Sequence, residues 1–337
     1  MHGNPGGGLQ ISVPRVSIVV PAYNAAATIA ATVESALAQT FSDFEIIVVD
    51  DGSTDRTREI LRGFGDRVRL IEQHNNGPAA ARNAGARASS GEYLAFLDAD
   101  DLWRPTMLER AVAELEAEPA STLVFFNALL ADSDGVELGT SLIGKGFDHA
   151  PSLNELLTQL WPIMPSAAIV RRTAYEKCGG YRDELKGASF RFEDVDFWIR
   201  IREQGPFLYI AEPLVVWRFA WFPKKLKKLP DYSKALHVFE KHLQEHYGVS
   251  ARPLVEARER APRSILANIG LKALRDADRP RARAAFARAI RVDPYRLKNY
   301  LRWMRTCLPY ALAQRLSGAG NRAVKGAAEP GRPAINI

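Results

Sequence analysis

The sequence predicts an α/β fold, a mixed and largely parallel sheet flanked by helices, followed by a helical appendage. Three observations carry this expectation. Short β-branched runs alternate with helical patterns through the first half, the signature of βαβ units. Polar or acidic clusters follow three of the early runs, at the strand carboxyl ends where open α/β sheets bind ligands. From about Trp221 the composition turns helical and basic.

Arg15 to Val20 reads as the first strand, because Val16, Ile18, Val19 and Val20 form a β-branched run that Pro21 is expected to end. Ile29, Val33, Ala36 and Leu37 then recur at helical spacing behind Thr28, a candidate N-cap. Phe44 to Val49 reads as the second strand and runs into Asp50-Asp51-Gly52-Ser53-Thr54-Asp55, where Asp55 can cap a helix through Leu61. Val68 to Ile71 is the third strand, Pro78 to Ala88 an Ala-rich helix, and Tyr93 to Leu97 a fourth strand ending at Asp98. After residue 120 the alternation loosens into a strand over Thr122 to Phe126, a turn at Asp132 to Gly135 and a helix from about Glu193 to Gln204. Further on, Ser264 to Arg275 and Arg281 to Val292 are amphipathic segments separated by Asp276-Ala277-Asp278, with Phe286 and Ile290 on one face. The pair resembles one tetratricopeptide-like hairpin, but no second copy follows at a fixed period, so a repeat array is not expected.

With 337 residues and 47% hydrophobic composition, the chain can bury a main core and a smaller one, since domains run about 100–200 residues. The expected organisation is a leader over 1–13, a catalytic domain over 14–220, a basic helical domain over 221–320 and a flexible tail over 321–337. The apolar runs are strand-length, far short of the roughly 20 residues of a spanning helix, and the Gly-rich beginning does not read as a secretory signal. Cys178 and Cys307 lie far apart without a metal-like spacing, which suits packed thiols in a reducing cytoplasm. The net charge of +6 conceals a division: residues 221–337 carry 25 Lys+Arg against 9 Asp+Glu, whereas 1–220 carry 20 against 30. An acidic working domain joined to a segment that meets something anionic is the expectation.

Asp98-Ala99-Asp100-Asp101 closes an apolar strand with three carboxylates. Crowded acids at such a place need a cation or strong hydrogen bonding. Mg²⁺ or Mn²⁺ prefers oxygen ligands and is typically held by one or two carboxylates, with substrate phosphates and water completing the shell. Taken alone, such a pattern reads more readily as a solvated loop capping a helix before Trp103-Arg104-Pro105.

The cluster is not alone. Val16 to Asn24 (VSIVVPAYN), Ile46 to Asp55 (IIVVDDGSTD), Asn76 to Gly85 (NGPAAARNAG) and Gly91 to Asp101 (GEYLAFLDADD) occur, in this order and spacing, in a pattern similar to glycosyltransferase family 2, with Glu193-Asp194 downstream. The resemblance covers roughly residues 14–220. It implies the GT-A fold, a Rossmann-like nucleotide-diphospho-sugar transferase architecture, and an inverting, metal-dependent transfer from a nucleotide sugar. In similar enzymes the stretch matching Pro21, Tyr23 and Asn24 lines the nucleotide pocket, and Asp51 accepts a hydrogen bond from the base, usually uracil. Arg82 and Asn83 match the stretch by the nucleotide and diphosphate, Asp98 matches a ribose-side acid, and Asp100 the metal ligand. Asp194 matches the general base, with Asp50, Asp101 and Glu193 as further contacts to substrate or diphosphate.

The reaction has the same requirement: an acceptor hydroxyl needs a carboxylate to take its proton, typically worth about 10²–10⁴-fold. On a helix from Glu193, Asp194 and Asp196 point to different faces, so one of them is expected to face the substrate. The chain departs from the family in lacking a Q/R-x-x-R-W match at Ile199-Arg200-Ile201-Arg202, which favours a single addition. It also lacks a late histidine at Trp217-Arg218-Phe219-Ala220, where Arg218 is a candidate diphosphate contact. The segment Trp221 to Leu229 interleaves aromatics with four lysines and can meet an anionic membrane surface, consistent with a peripheral cytoplasmic enzyme acting on a glycan or lipid-linked saccharide. No nucleic-acid module is recognisable. The competing reading is a catalytically inactive nucleotide-sugar-binding or scaffold protein.

Overall fold

The computed structural model describes residues 13–132, 134–144, 149–185, 192–218, 233–292 and 296–307. The chain divides into two compact units, Met1–Phe125 with Ile163–Leu208, and Phe126–Pro162 with Tyr209–Ile337.

The first unit opens with β1 (Val16–Ala22), α1 (Ile29–Leu37), β2 (Phe44–Asp50), α2 (Thr57–Arg62), β3 (Arg69–Glu72), α3 (Pro78–Ala88) and β4 (Tyr93–Phe96). Next come β5 (Leu102–Trp103), α4 (Met107–Ala117) and the start of β6 (Leu123–Ala131). In the second unit β6 continues into β7 (Glu137–Ser141) and α5 (Leu153–Thr158). The chain returns to the first unit with β8 (Ala168–Arg171), α6 (Arg172–Cys178) and α7 (Phe192–Gln204). After β9 (Phe207–Arg218), the helices α8 (Ser233–Tyr247), α9 (Arg252–Arg275), α10 (Arg279–Val292) and α11 (Leu297–Cys307) follow in the second unit.

In the first unit the strand order runs β3-β2-β1-β4-β8-β6. β1 is parallel to β2 and β4, β2 is parallel to β3, and β8 pairs antiparallel with β4 and β6. The mixed, largely parallel sheet expected from the sequence is therefore present. Its central strands are apolar on both faces, as strands covered on both sides must be: Val16, Ile18, Val19, Val20, Ile47, Val48, Leu94 and Phe96 are fully buried. α3 lies close on this sheet, with Ala81 packed on Ile47 and Val49. A Cβ on Gly85 would stand 2.3 Å from Val19 Cγ1, so only glycine permits that approach.

Pro21 does not end the first strand. β1 continues to Ala22, opposite Asp50. In a parallel ladder alternate residues bond to opposite neighbours. Val19 accepts from Leu97 N on the β4 side, and Ala22 accepts from Asp51 N on the β2 side, so the donor that Pro21 lacks would face β4 beyond its last bond. Thr28 does not cap α1 with its side chain; its hydroxyl lies 3.4 Å from Ala25 O instead. Asp55 does receive Thr57 N, at 3.0 Å, and this bonding to Thr57 holds its carboxyl below the usual range.

In the second unit the predicted turn is the β6–β7 connection, where Asp132 O accepts from Gly135 N and Asp132 Oδ1 from Val136 N. The helical hairpin is present as α9 and α10, and α9 begins earlier than its amphipathic period suggested, at Arg252. Phe286 packs with Ala273 and Ala282, and Trp303 of α11 joins them. Residues 1–12, the basic segment 221–229 and the tail 321–337 lie outside the described residues. Among the described residues no helix is long and apolar enough to cross a membrane.

Candidate active site

β1 and β2 finish side by side, so the loops after them meet. Asn24 adopts a left-handed backbone, φ 48°, which Asn tolerates better than most residues. Its Oδ1 accepts from Thr54 N at 2.8 Å, and its own N–H donates to Ser53 Oγ at 2.9 Å. Ala25 and Ala26 donate to Thr57 Oγ1 and Asp55 Oδ2. The two loops are thereby tied into one rim, from which Tyr23 projects 51% exposed, available for stacking. Pro21 sits half-buried behind it.

The two aspartates after β2 have different surroundings. Asp50 is fully buried, and its Oδ2 accepts from Ser53 N at 3.2 Å and pairs with Arg58 Nε at 2.8 Å. Its Oδ1 is buried with no hydrogen-bond partner among the described residues, an arrangement that usually signals a missing donor. Asp51 Oδ1 accepts from Gln73 Nε2 at 2.7 Å and Asn76 N at 2.8 Å, and Oδ2 from Gly77 N at 2.7 Å. Gly77 precedes α3, so this carboxylate also lies at the positive end of that helix.

Arg82 of α3 is the junction of the site. It is 3% exposed, and its Nη2 donates to Asp98 Oδ1 at 2.6 Å while Nη1 reaches Asp194 Oδ1 at 3.5 Å. Its guanidinium lies over the Tyr181 ring, 5.1 Å from the centroid. Burial alone would lower the Arg82 pKa, but Asp98 above all, then Tyr181 and Asp194, raise it above the ordinary arginine value. The cation is therefore permanent. Removing one partner of such a buried set typically costs about 3–5 kcal/mol, because the others are left uncompensated. Tyr181 stacks on Phe197 of α7 at 4.0 Å, and burial pushes its hydroxyl well above the usual tyrosine range, so the ring under Arg82 stays neutral.

At the end of β4 the three acids divide their tasks. Asp98 is buried beside Arg82, and its backbone N–H donates to Ser166 Oγ at 3.0 Å. Asp101 is 1% exposed and accepts from the same Ser166 hydroxyl at 2.5 Å. Ser166 O also accepts from Trp103 Nε1, and Thr32 Oγ1 stands 2.9 Å from both Ala99 O and Asp101 O. These bonds fix the turn, and Asp100 is its exposed member.

α7 begins next to this cluster. Glu193 and Asp194, in its first turn, are both buried. Asp196 is engaged elsewhere: its Oδ2 receives Arg200 Nε and Nη2 at 2.8 and 2.6 Å, and Oδ1 pairs with Arg182 at 3.2 Å. Of the two helix aspartates, Asp194 is the one that meets Arg82.

The oxygen donors after β4 fit a hard divalent cation. Asp100 offers an exposed carboxylate, and Asp98 a second one beside it in the same turn. Among the described residues no group of three or more His, Cys, Asp or Glu could cage an ion.

Asn83 is saturated within the protein. Its Nδ2 donates to Tyr181 O and Asp183 Oδ1, and its Oδ1 accepts from Tyr181 N and Tyr175 OH. Two donors and two acceptors engage its amide, which ties α3 to the 175–183 turn that carries the Tyr181 ring. Arg218 lies in the second unit, against Gly135. Ser166, Thr32, Tyr181 and Arg58 were not singled out in the sequence. Ser166, Thr32 and Tyr181 act through partners distant in the chain, and Arg58 reaches back eight residues to Asp50 from the following helix.

The family model described as Glycosyl transferase family 2 matches residues 17–179. The putative glycosyltransferase EpsE of Bacillus subtilis is 33% identical over 201 residues, covering 58% of this chain and 69% of that protein. An Escherichia coli protein named UDP-Glc:alpha-D-GlcNAc-diphosphoundecaprenol beta-1,3-glucosyltransferase WfaP is 36% identical over 199 residues, covering 56% and 71%. Escherichia coli chondroitin synthase is 33% identical over 201 residues, but these are 59% of this chain and 28% of the synthase. Among solved structures, S. aureus TarS superposes with TM-score 0.56 at 18% identity, over 92% of this chain and 53% of TarS. TarS 1-349 in complex with UDP superposes with TM-score 0.52 at 18% identity, over 87% and 90%. These two likenesses establish the fold.

Proposed function

The chain belongs to glycosyl transferase family 2 and is a glycosyltransferase, and from this premise we propose that it transfers one sugar, with inversion, from a UDP-sugar to a glycan or lipid-linked saccharide. The setting proposed is cell-surface polysaccharide assembly at the cytoplasmic face of the membrane. One observation carries the reading: Arg82 draws Asp98, at the end of β4, and Asp194, at the start of α7, to one guanidinium. A donor-side acid and an acceptor-side acid are thus held at one place.

Tyr23 offers its exposed ring to the base, and Asp50 and Asp51 stand behind the same rim. Asp51, which matches the family's base-side aspartate, is the acceptor proposed to receive an N–H from the nucleoside. Asp98 serves the ribose side, and Asp100 would hold Mn²⁺ or Mg²⁺ together with the donor diphosphate. When bound, that ion would supply Lewis-acid stabilisation of the departing diphosphate. Asp194 takes the proton of the acceptor hydroxyl as its oxygen bonds to the anomeric carbon, while the bond from that carbon to the phosphate oxygen breaks and its electron pair leaves with UDP. Attack opposite the leaving group inverts the centre. At 3.5 Å, near the limit of a hydrogen bond, Arg82 steers the Asp194 carboxylate without clamping it. Glu193 lies beside it as a second contact to the acceptor.

The relative named as a glucosyl transferase to a diphosphoundecaprenol-linked sugar supports a UDP-sugar donor and a lipid-linked acceptor. A screen of UDP- and GDP-sugars with Mn²⁺, read by nucleoside diphosphate release and by the anomeric configuration of the product, tests the proposal. UDP release with an inverted product is expected. Turnover confined to GDP-sugars, or a retained configuration, contradicts it.

A further inference from the structure

α11 docks on the fold through a mixed face and leaves a row of apolar residues outside. Asn299 and Thr306, each 1% exposed, face the fold together with Trp303, which packs on Ala273, Ala282 and Phe286. Asn299 Nδ2 reaches Ala289 O, and Arg283 donates to Thr306 O, which docks the helix on α10. Four other apolar residues of the helix face outward. Leu297, Tyr300, Leu301 and Met304 are 69%, 36%, 48% and 46% exposed, and their spacing of i, i+3, i+4, i+7 aligns them in one row. A globular helix hides this row, and exposed contiguous apolar surface marks an interaction site.

The charge beside the row identifies what covers it. Lys298, Arg302 and Arg305 flank it along the same helix, and α11 contains no acidic residue. From Arg279 to Cys307 the chain carries nine Lys or Arg and a single acid, Asp293. Burial lowers the Arg302 pKa, and Arg296 and Arg305 lower it further, so these cations crowd one another. An apolar stripe bordered by cations on a helix without acidic residues, with a tyrosine at its edge, matches an interface of hydrocarbon and anionic headgroups. A soluble acidic protein would match the cations but not the row.

We propose that α11 is an interfacial anchor: its row Leu297, Tyr300, Leu301 and Met304 lies in the surface of an anionic phospholipid bilayer, and Lys298 and Arg302 meet the headgroups. This deepens the reading of a transferase working at a membrane, and rests on it. Vesicle binding needs neither donor nor acceptor, so its failure is distinguishable from failure of the transfer chemistry.

The test is co-sedimentation of the full chain with vesicles of phosphatidylcholine alone or containing phosphatidylglycerol. Binding to the anionic vesicles at least about tenfold stronger, and weakened by salt, is expected. Leu301→Glu with Met304→Glu should reduce it about tenfold or more while UDP release with a soluble acceptor persists. Arg296→Glu with Lys298→Glu, which leaves the row intact, should reduce it comparably and serves if the first pair impairs folding. Four results would each overturn the proposal. They are no binding to either vesicle, equal binding to both, and anionic binding indifferent to both pairs of substitutions. The fourth is a fall in melting temperature or in oligomer size in the first pair with vesicle binding unchanged, which would give the row to residues 308–337 or to a second copy.

Discussion

The end of β4 and the outer face of α11 handle charge in opposite ways. Around Arg82 the ionisable groups are buried and opposed in sign, so each acid's position depends on the cation between them. On α11 the cations share one sign and the apolar side chains are exposed. A buried pair is costly to break and therefore holds geometry, whereas a one-signed surface has its complement outside the molecule. The first arrangement suits chemistry at a fixed point and the second suits attachment.

Breaking the comparison at its strongest point means removing Arg82. Arg82→Leu should lower stability by about 3–5 kcal/mol and abolish transfer, read by denaturant unfolding and by UDP release. A stable, active variant would show that Asp98 and Asp194 do not depend on it. A milder change is Ser166→Ala, which leaves the buried Asp98 N–H and the Asp101 carboxylate without their shared hydroxyl. A loss of about 1–3 kcal/mol is expected, with donor affinity falling because the β4 turn loosens. The smallest effect compares the two thiols. Burial pushes the Cys178 thiol up, with Arg200 countering only in part, and Cys307 is exposed. Alkylation at pH 8, followed by peptide mass spectrometry, should modify Cys307 first, because the thiolate is the reactive form. Equal rates would show that the turn at Cys178 opens freely.

Much of this was legible in the sequence, for reasons that can be stated by residue. Val16–Val20, Phe44–Val49 and Tyr93–Leu97 are local apolar runs, and their strand assignments needed no tertiary information. The acids after them lie in the sequence itself. The pairing between chain-distant residues was not legible. Glu193, Asp194 and Asp196 are chemically alike in sequence, and what separates Asp194 from Asp196 is that Arg182 and Arg200 occupy the latter. Pro21 stays in a strand because β4 ends beside it, which only the register shows. Asn83 lies within a nucleotide-side motif, yet all of its amide bonds go to the 175–183 turn. The docking of α11 was not legible because its inward face mixes Asn299 and Thr306 with Trp303 while Leu297, Leu301 and Met304 stay exposed.

The most direct test of the account is the Asp194→Asn variant, measured twice. Donor binding by calorimetry with Mn²⁺ should stay within about twofold of the parent, while transfer to acceptor falls by about 10²–10⁴-fold, the usual worth of a general base. Transfer that persists at the parental rate, with the folded state intact, would contradict the role given to Asp194 and with it the site built around Arg82.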